Sequence, residues 1–281
     1  MKSTVICVTG WHYPRDFYQA LSELESADIY IVSHRRADEI PTSISENFSS
    51  KQILIRANIG YDWGCYQQFV RTELWRPYQN IIFMHDDLEI HNFKFIRRVN
   101  DLLQVYSAVG NGSGEGSVTH VDVAQHPYAY AHSSWKPDHY DFQHKTVRGS
   151  FFAVKKEVLE QIQNFEVYWD PWKIDIDFGN WSTKATCGKI EGVFGSQAFG
   201  YLSNTFGRSE YITEFIRGQM GGELSQSAGF KAKLYRLIKR ISRFYMEIFY
   251  QQRDVYLRSF WLLSLQFFLN FFSGINNNNK A

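Results

Sequence analysis

The stretch Ile81-Ile82-Phe83-Met84-His85-Asp86-Asp87-Leu88-Glu89 runs from a short apolar segment straight into two adjacent carboxylates. An apolar run of this length reads as a strand buried on both faces, and the acids then fall where it leaves the sheet. Neighbouring carboxylates repel one another there and cost desolvation unless a cation joins them. Divalent ions such as Mg2+ or Mn2+ take oxygen ligands and commonly arrive with phosphate oxygens. Two readings follow. His85, Asp86 and Asp87 hold a metal-bound diphosphate, or Asp86 and Asp87 cap a helix that comes next.

The segments around this stretch favour the first reading. Upstream, residues 4–8 form an apolar strand pattern, and Phe17, Leu21 and Leu24 give a helix near 15–26 one apolar face. Residues 28–33 predict a second strand ending in His34-Arg35-Arg36, and the polar residues 37–50 a loop. Residues 52–56 predict a third strand, followed by Asn58-Ile59-Gly60-Tyr61-Asp62-Trp63-Gly64 and a helix near 63–76. A basic amphipathic helix is expected near 92–106. Alternation of this kind predicts an α/β fold with a mainly parallel sheet and flanking helices. In such sheets ligands bind beyond the carboxyl ends of the strands. The polar stretches 9–15, 33–36, 58–64 and 85–89 each fall at such an end. They should converge on one site.

Downstream, the glycine-serine run 110–117 lacks the lysine of a phosphate-binding loop and reads as a turn. A strand is expected at 118–124, and then a long loop carrying His126, His132, His139 and His144, one of which could complete a metal's coordination. Residues 146–154 predict a strand and 155–164 a helix. The segment 168–179 sets Asp175 and Asp177 among Trp169, Trp172, Ile176 and Phe178. In an extended segment both acids share a face, and burial beside aromatic rings would raise a carboxyl towards the range of a general base. The plainer reading makes Asp175 a helix cap and the tryptophans core.

Composition sets the wider frame. The chain is 44% hydrophobic and 17% aromatic, enough for a packed core. Its three cysteines lie far apart with no CxxC pair, which predicts neither a disulfide framework nor a zinc site and fits a reducing compartment. The apolar run 5–8 is too short for a signal-peptide core. The net charge of +1 hides an asymmetry, because residues 231–258 carry eight Lys/Arg against Glu247 and Asp254. With Lys280 added, residues 1–230 must carry a net −6. In the tail, apolar residues from Phe230 to Phe249 recur at helical spacing opposite the basic set, the pattern of an in-plane membrane helix. Residues 255–275 are apolar and aromatic but are interrupted by Arg258, Gln266 and Asn270, short of the roughly 20 residues that span a bilayer. The expectation is peripheral attachment of a cytoplasmic protein to an anionic membrane through 231–275. The alternative is a helical hairpin that packs on the body or pairs two copies as a homodimer. Nucleic acid is not expected as a partner of so apolar a helix.

The order Asn58-x-Gly60-x-Asp62-x-Gly64, apolar strand, His85-Asp86-Asp87 resembles the nucleotide-sugar half of GT-A glycosyltransferases of the family 2-like, rhamnan-synthesis type. Arg148-Gly149-Ser150-Phe151-Phe152-Ala153-Val154 is similar to that family's acceptor-side strand. Residues 174–179 are similar to its later acidic motif, whose leading carboxylate is the base of inverting enzymes. The resemblance covers about residues 1–215 and implies a glycosyltransferase domain over 1–225; the tail pattern predicts a membrane-association segment over 226–275, and the Asn276–Asn279 run a disordered end at 276–281. It implies a nucleoside diphosphate sugar as donor, a glycan or lipid-linked acceptor, and an Mn2+ or Mg2+ ion on Asp87 with Asp86 and His85. Thr9, Gly10, His12, Arg35, Asn58, Gly60, Asp62, Gly64, Asp86 and Arg148 would bind the nucleotide sugar, and Asp175 or Asp177 would be the base. Two departures stand out: His85 replaces the first acid of a three-acid motif, and Ile174-Asp175 stands where the family has Glu-Asp. The rival readings are a sugar nucleotidylyltransferase and a degenerate transferase domain that binds or scaffolds without turnover.

Overall fold

The computed structural model describes residues 2–56, 60–112, 147–167, 177–205 and 207–214. The chain opens with β1 (Thr4–Gly10), α1 (Arg15–Ser22), β2 (Asp28–Ser33), α2 (Thr42–Asn47), β3 (Ile53–Ile55), α3 (Tyr61–Thr72) and β4 (Asn80–His85). It continues through β5 (Leu88–Ile90), α4 (Phe95–Leu103), β6 (Ala108–Gly112), β7 (Phe151–Lys155), α5 (Lys156–Ile162), α6 (Asp177–Phe194), β8 (Phe199–Ser203) and β9 (Ile212–Glu214). Seven strands form one sheet in the order β3-β2-β1-β4-β7-β6-β8, and β5 pairs with β9 in a second, two-stranded sheet. Strands β3, β2, β1 and β4 are mutually parallel, as are β6 and β8, while β7 runs antiparallel between β4 and β6. The expected α/β architecture, mainly parallel with flanking helices, is what the chain adopts.

Both faces of the large sheet are covered. Val5, Cys7, Ile81 and Phe83 face a core shared with Trp63, Tyr66 and Phe69 of α3 and with α5 and α6. Ile6, Val8, Ile82 and Met84 face the opposite core, shared with Phe17 and Leu21 of α1 and with Phe95 and Val99 of α4. Alternate side chains of a strand point to opposite faces, so a strand covered twice must be apolar throughout. That is why residues 81–84 read as an unbroken apolar run.

Several boundaries differ from expectation. Residues 37–50, predicted as a loop, contain a short 3-10 turn at Ala37–Glu39 and helix α2. Helix α4 spans only Phe95–Leu103, because residues 91–94 form a turn between β5 and the helix. Gly110 and Gly112, read as part of a turn, belong to β6. The glycines there permit close approach: a Cβ on Gly110 would come 3.1 Å from Val147 Cγ1, and one on Gly112 would overlap the Thr205 carbonyl. The expected strand at 118–124, the histidine-rich loop 125–145 and the whole tail from 226 onward lie outside the described residues. No helix among the described residues is long and apolar enough to cross a membrane.

Candidate functional site

The register of the parallel strands brings the predicted residues to one edge of the sheet. Thr9 pairs with both Val32 and His85, and Gly10 with Ser33, so the exits of β1, β2 and β4 lie side by side. The amino end of α3 joins them. Gly60 caps that helix in the left-handed conformation at φ 77°, and a Cβ there would also overlap Val167. A glycine is needed on both counts. Gly64 follows in the first turn, its N–H donating to the Gly60 carbonyl at 2.8 Å.

Asp86 is 1% exposed and turns inward. Its Oδ2 accepts hydrogen bonds from the backbone N–H groups of Trp11, His12 and Tyr13 at 2.9, 2.9 and 2.8 Å, and from the Tyr18 hydroxyl at 3.1 Å. Tyr13 adopts φ 53°, a left-handed conformation that a tyrosine rarely takes. It helps turn three successive amides onto one oxygen, the geometry of an anion-binding nest. Burial pushes the Asp86 carboxyl above its ordinary range, while the amide and hydroxyl donors favour its ionised form and work against that shift. Asp86 therefore ties the β4 exit to the β1–α1 loop. His12 contributes its backbone to this tie and leaves its side chain exposed.

His85 and Asp87 sit differently. His85 Nε2 lies 3.0 Å from Asp62 Oδ2 and Nδ1 lies 3.5 Å from Asp87 Oδ1. Burial opposes a charge on the imidazole, but the two carboxylates outweigh it and push the group up to about 10. Burial also works to raise Asp87, and His85 beside it prevails, leaving that carboxyl below the usual range. Asp87 Oδ1 is buried and accepts no hydrogen bond, so the 3.5 Å approach to His85 is an ion-pair contact. Behind the cluster, the His85 backbone N–H donates to the Ser150 carbonyl at 3.0 Å. The Tyr66 hydroxyl donates to the Gly149 carbonyl at 2.8 Å. A Cβ on Gly149 would stand 2.8 Å from Asp62 Oδ2, so that glycine leaves the carboxylate its place.

At the exit of β2, the Arg35 guanidinium lies 5.6 Å from the ring centroids of both Trp11 and Tyr13. Trp11 also meets His34 edge to face at 6.1 Å. The Tyr13 hydroxyl donates to Ser33 Oγ at 2.5 Å, holding the platform to the strand. On the other side of the site, Arg148 Nε pairs with Glu214 Oε2 at 3.0 Å, and the Glu214 side chain is 2% exposed. Ser150 donates to the same oxygen, and Asn111 donates to Oε1 at 3.2 Å. Trp11, Tyr13 and Glu214 were not singled out from sequence. An aromatic pair straddling His12 was a legible signal; Glu214 stands in no motif. A cleft of about 360 Å3 opens between α1 and β5, lined by Pro14, Phe17, Asp86, Asp87, Leu88 and Phe93 among others. Asn58 and Asp175 lie outside the described residues, and Asp177 is described only as the first residue of α6.

The expected divalent ion does not find a ligand set in these side chains. Oδ2 of Asp86 is committed to backbone amides, and both ring nitrogens of His85 face carboxylates. Among the described residues no three His, Cys, Asp or Glu side chains gather as metal ligands.

No family model and no curated protein matches the chain. Among solved structures, a Desulfovibrio desulfuricans G20 protein assigned as a nucleotide-diphospho-sugar transferase is similar over 91% of this chain and 100% of its own. Its TM-score is 0.40 at 12% identity. A Bacillus anthracis protein assigned as a glucose-1-phosphate thymidylyltransferase, in complex with sucrose, covers 83% of this chain and 99% of its own, with TM-score 0.40 and 9% identity. S. aureus TarS 1-349 covers 67% and 56%, with TM-score 0.40 and 10% identity. Likenesses this distant carry no argument about activity, which rests on the side chains above.

Proposed function

We propose that this chain is a GT-A-type glycosyltransferase that moves a sugar from a nucleoside diphosphate donor to a hydroxyl acceptor. The observation that carries the reading is the Trp11–Arg35–Tyr13 stack at the exits of β1 and β2, set beside the acidic exit of β4. The carboxyl edge of a parallel sheet is where such folds bind nucleotides. A flat ring with a guanidinium on it suits a base and its phosphates. Carboxylates suit sugar hydroxyls, which donate to them. In this reading Trp11 and Arg35 hold the nucleotide, and Asp62 and Asp87 orient the sugar. Arg148, steadied by Glu214, faces the phosphate or acceptor end, and Asp175 or Asp177 takes the acceptor proton in an inverting displacement. The basic, apolar tail would keep the enzyme peripheral on an anionic membrane on the cytoplasmic side, near a lipid-linked or glycan acceptor.

A thermal-shift screen of UDP-, GDP- and dTDP-sugars, followed by a transfer or donor-hydrolysis assay, tests this. One donor should stabilise the protein and turn over. If none shifts the transition, the nucleotide-sugar reading falls. Binding without turnover would instead favour a non-catalytic binding subunit, to which the engaged state of His85 lends support. Pyrophosphate release from a nucleoside triphosphate plus a sugar phosphate would favour a nucleotidylyltransferase.

A further inference from the structure

The β4 exit presents two carboxylates from different elements, Asp62 in the first turn of α3 and Asp87 in the turn after β4, with one imidazole between them. Its Nε2 lies within hydrogen-bond distance of Asp62 and its Nδ1 within ion-pair distance of Asp87, and the ring answers both carboxylates only as a cation. A divalent ion shared by two carboxylates would stand in the same place and answer the same charges. The remaining acid of the motif is unavailable on that side, since Asp86 Oδ2 is held by three amides and Tyr18. The surroundings hold the residue in position: its backbone N–H donates to the Ser150 carbonyl, and Gly149 leaves room for Asp62.

We propose that His85 is the built-in cation of this site, occupying the place between Asp62 and Asp87 that a divalent ion would take, so that the chain engages its ligand without a metal. The nucleotide-sugar reading supplies only the ligand's identity; the cation is a property of three side chains. An imidazolium carries one charge where a metal carries two, and the cluster keeps a net negative charge. It therefore suits sugar hydroxyls and leaves the anionic phosphates to Arg35 at the neighbouring exit.

The test is Mn2+ binding by the full chain, followed by calorimetry and thermal shift, for wild type, His85→Ala, His85→Gln, Asp87→Asn and His85→Ala/Asp87→Asn. In the wild type neither Mn2+ at about 1 mM nor EDTA should move the transition. Removing the imidazolium leaves two carboxylates facing one another, so His85→Ala should gain at least about tenfold in Mn2+ affinity and regain stability with the ion. His85→Gln, which keeps the bulk and loses the charge, should gain likewise if the alanine variant folds poorly. The gain should vanish when Asp87→Asn is added. Micromolar Mn2+ binding by the wild type that Asp87→Asn abolishes would overturn the proposal, as would unchanged affinity in both His85 variants. The donor screen in the same plates separates the two ideas: a donor that stabilises the wild type in EDTA supports both. Failure of every donor sinks the nucleotide-sugar reading and leaves the Mn2+ result to decide the cation.

Discussion

Asp86 and Asp87 are neighbours in the chain and opposites in the molecule. Asp86 turns towards the β1–α1 loop, where one oxygen takes four donors and the side chain is 1% exposed. Asp87 keeps a buried oxygen without a hydrogen bond and answers its charge through His85, whose side chain is 27% exposed. The first arrangement is closed and reads as architecture. The second is open to exchange and reads as a site. Identical side chains one residue apart leave a strand in different directions, and direction decides which becomes which.

The largest effect should separate the two acids. Asp86→Ala leaves three backbone N–H groups, that of Tyr13 buried, and the buried Tyr18 hydroxyl without their acceptor, and should cost about 3–5 kcal/mol of stability in urea unfolding. Asp87→Asn, which removes one side of a partly exposed ion pair, should cost about 1 kcal/mol or less. Equal losses from both would erase the distinction. Next in size comes Gly60→Ala, which puts a Cβ at φ 77° against Val167 and should cost about 2–3 kcal/mol while shifting the amino end of α3 that carries Asp62.

A pH titration sharpens the open side. His85 is raised from an ordinary value near 6.5 to about 10 in the folded chain. Its contribution is therefore fully present below about pH 6.5 and is lost as pH rises through about 10. Solvent screening of a ring 27% exposed holds that contribution to the order of 2 kcal/mol. Wild-type stability should fall between those pH values more steeply than that of His85→Gln, followed by chemical unfolding at fixed salt. Parallel curves would mean that the imidazole is not charged by its neighbours.

The legible parts of this molecule are those with a repeated physical cause. Strand β4 announced itself because burial on both faces demands an unbroken apolar run, and the convergence of strand exits follows from parallel order alone. Strands β5 and β9, three residues each, are too short to carry a period. Glycines 110 and 112 misled because glycine marks turns more often than close packing, and here neighbouring chains press on β6. The pairing of His85 with Asp62 joins residues 23 apart, and Arg148 with Glu214 joins residues further apart still; no local spacing encodes either. Side-chain direction after the strand end, which splits Asp86 from Asp87, depends on a tyrosine in a left-handed conformation and has no sequence signature.

Trp11 belongs to both regions, which makes it the finest probe of the difference. Its backbone N–H serves the closed anchor at Asp86, while its ring lies under Arg35 on the open side. Trp11→Ala keeps the first and removes the second. Stability should change by less than about 1 kcal/mol, because the amide bond survives and the ring is only half-buried. Donor affinity should fall about tenfold, the value of one ring-cation and stacking contact, with Arg35→Ala showing a loss of the same order. The thermal shift with donor and the unfolding curve without it then report on different atoms of one residue. A variant that loses stability but not affinity would place the Trp11 ring in the architecture and move the ligand away from the β1 exit.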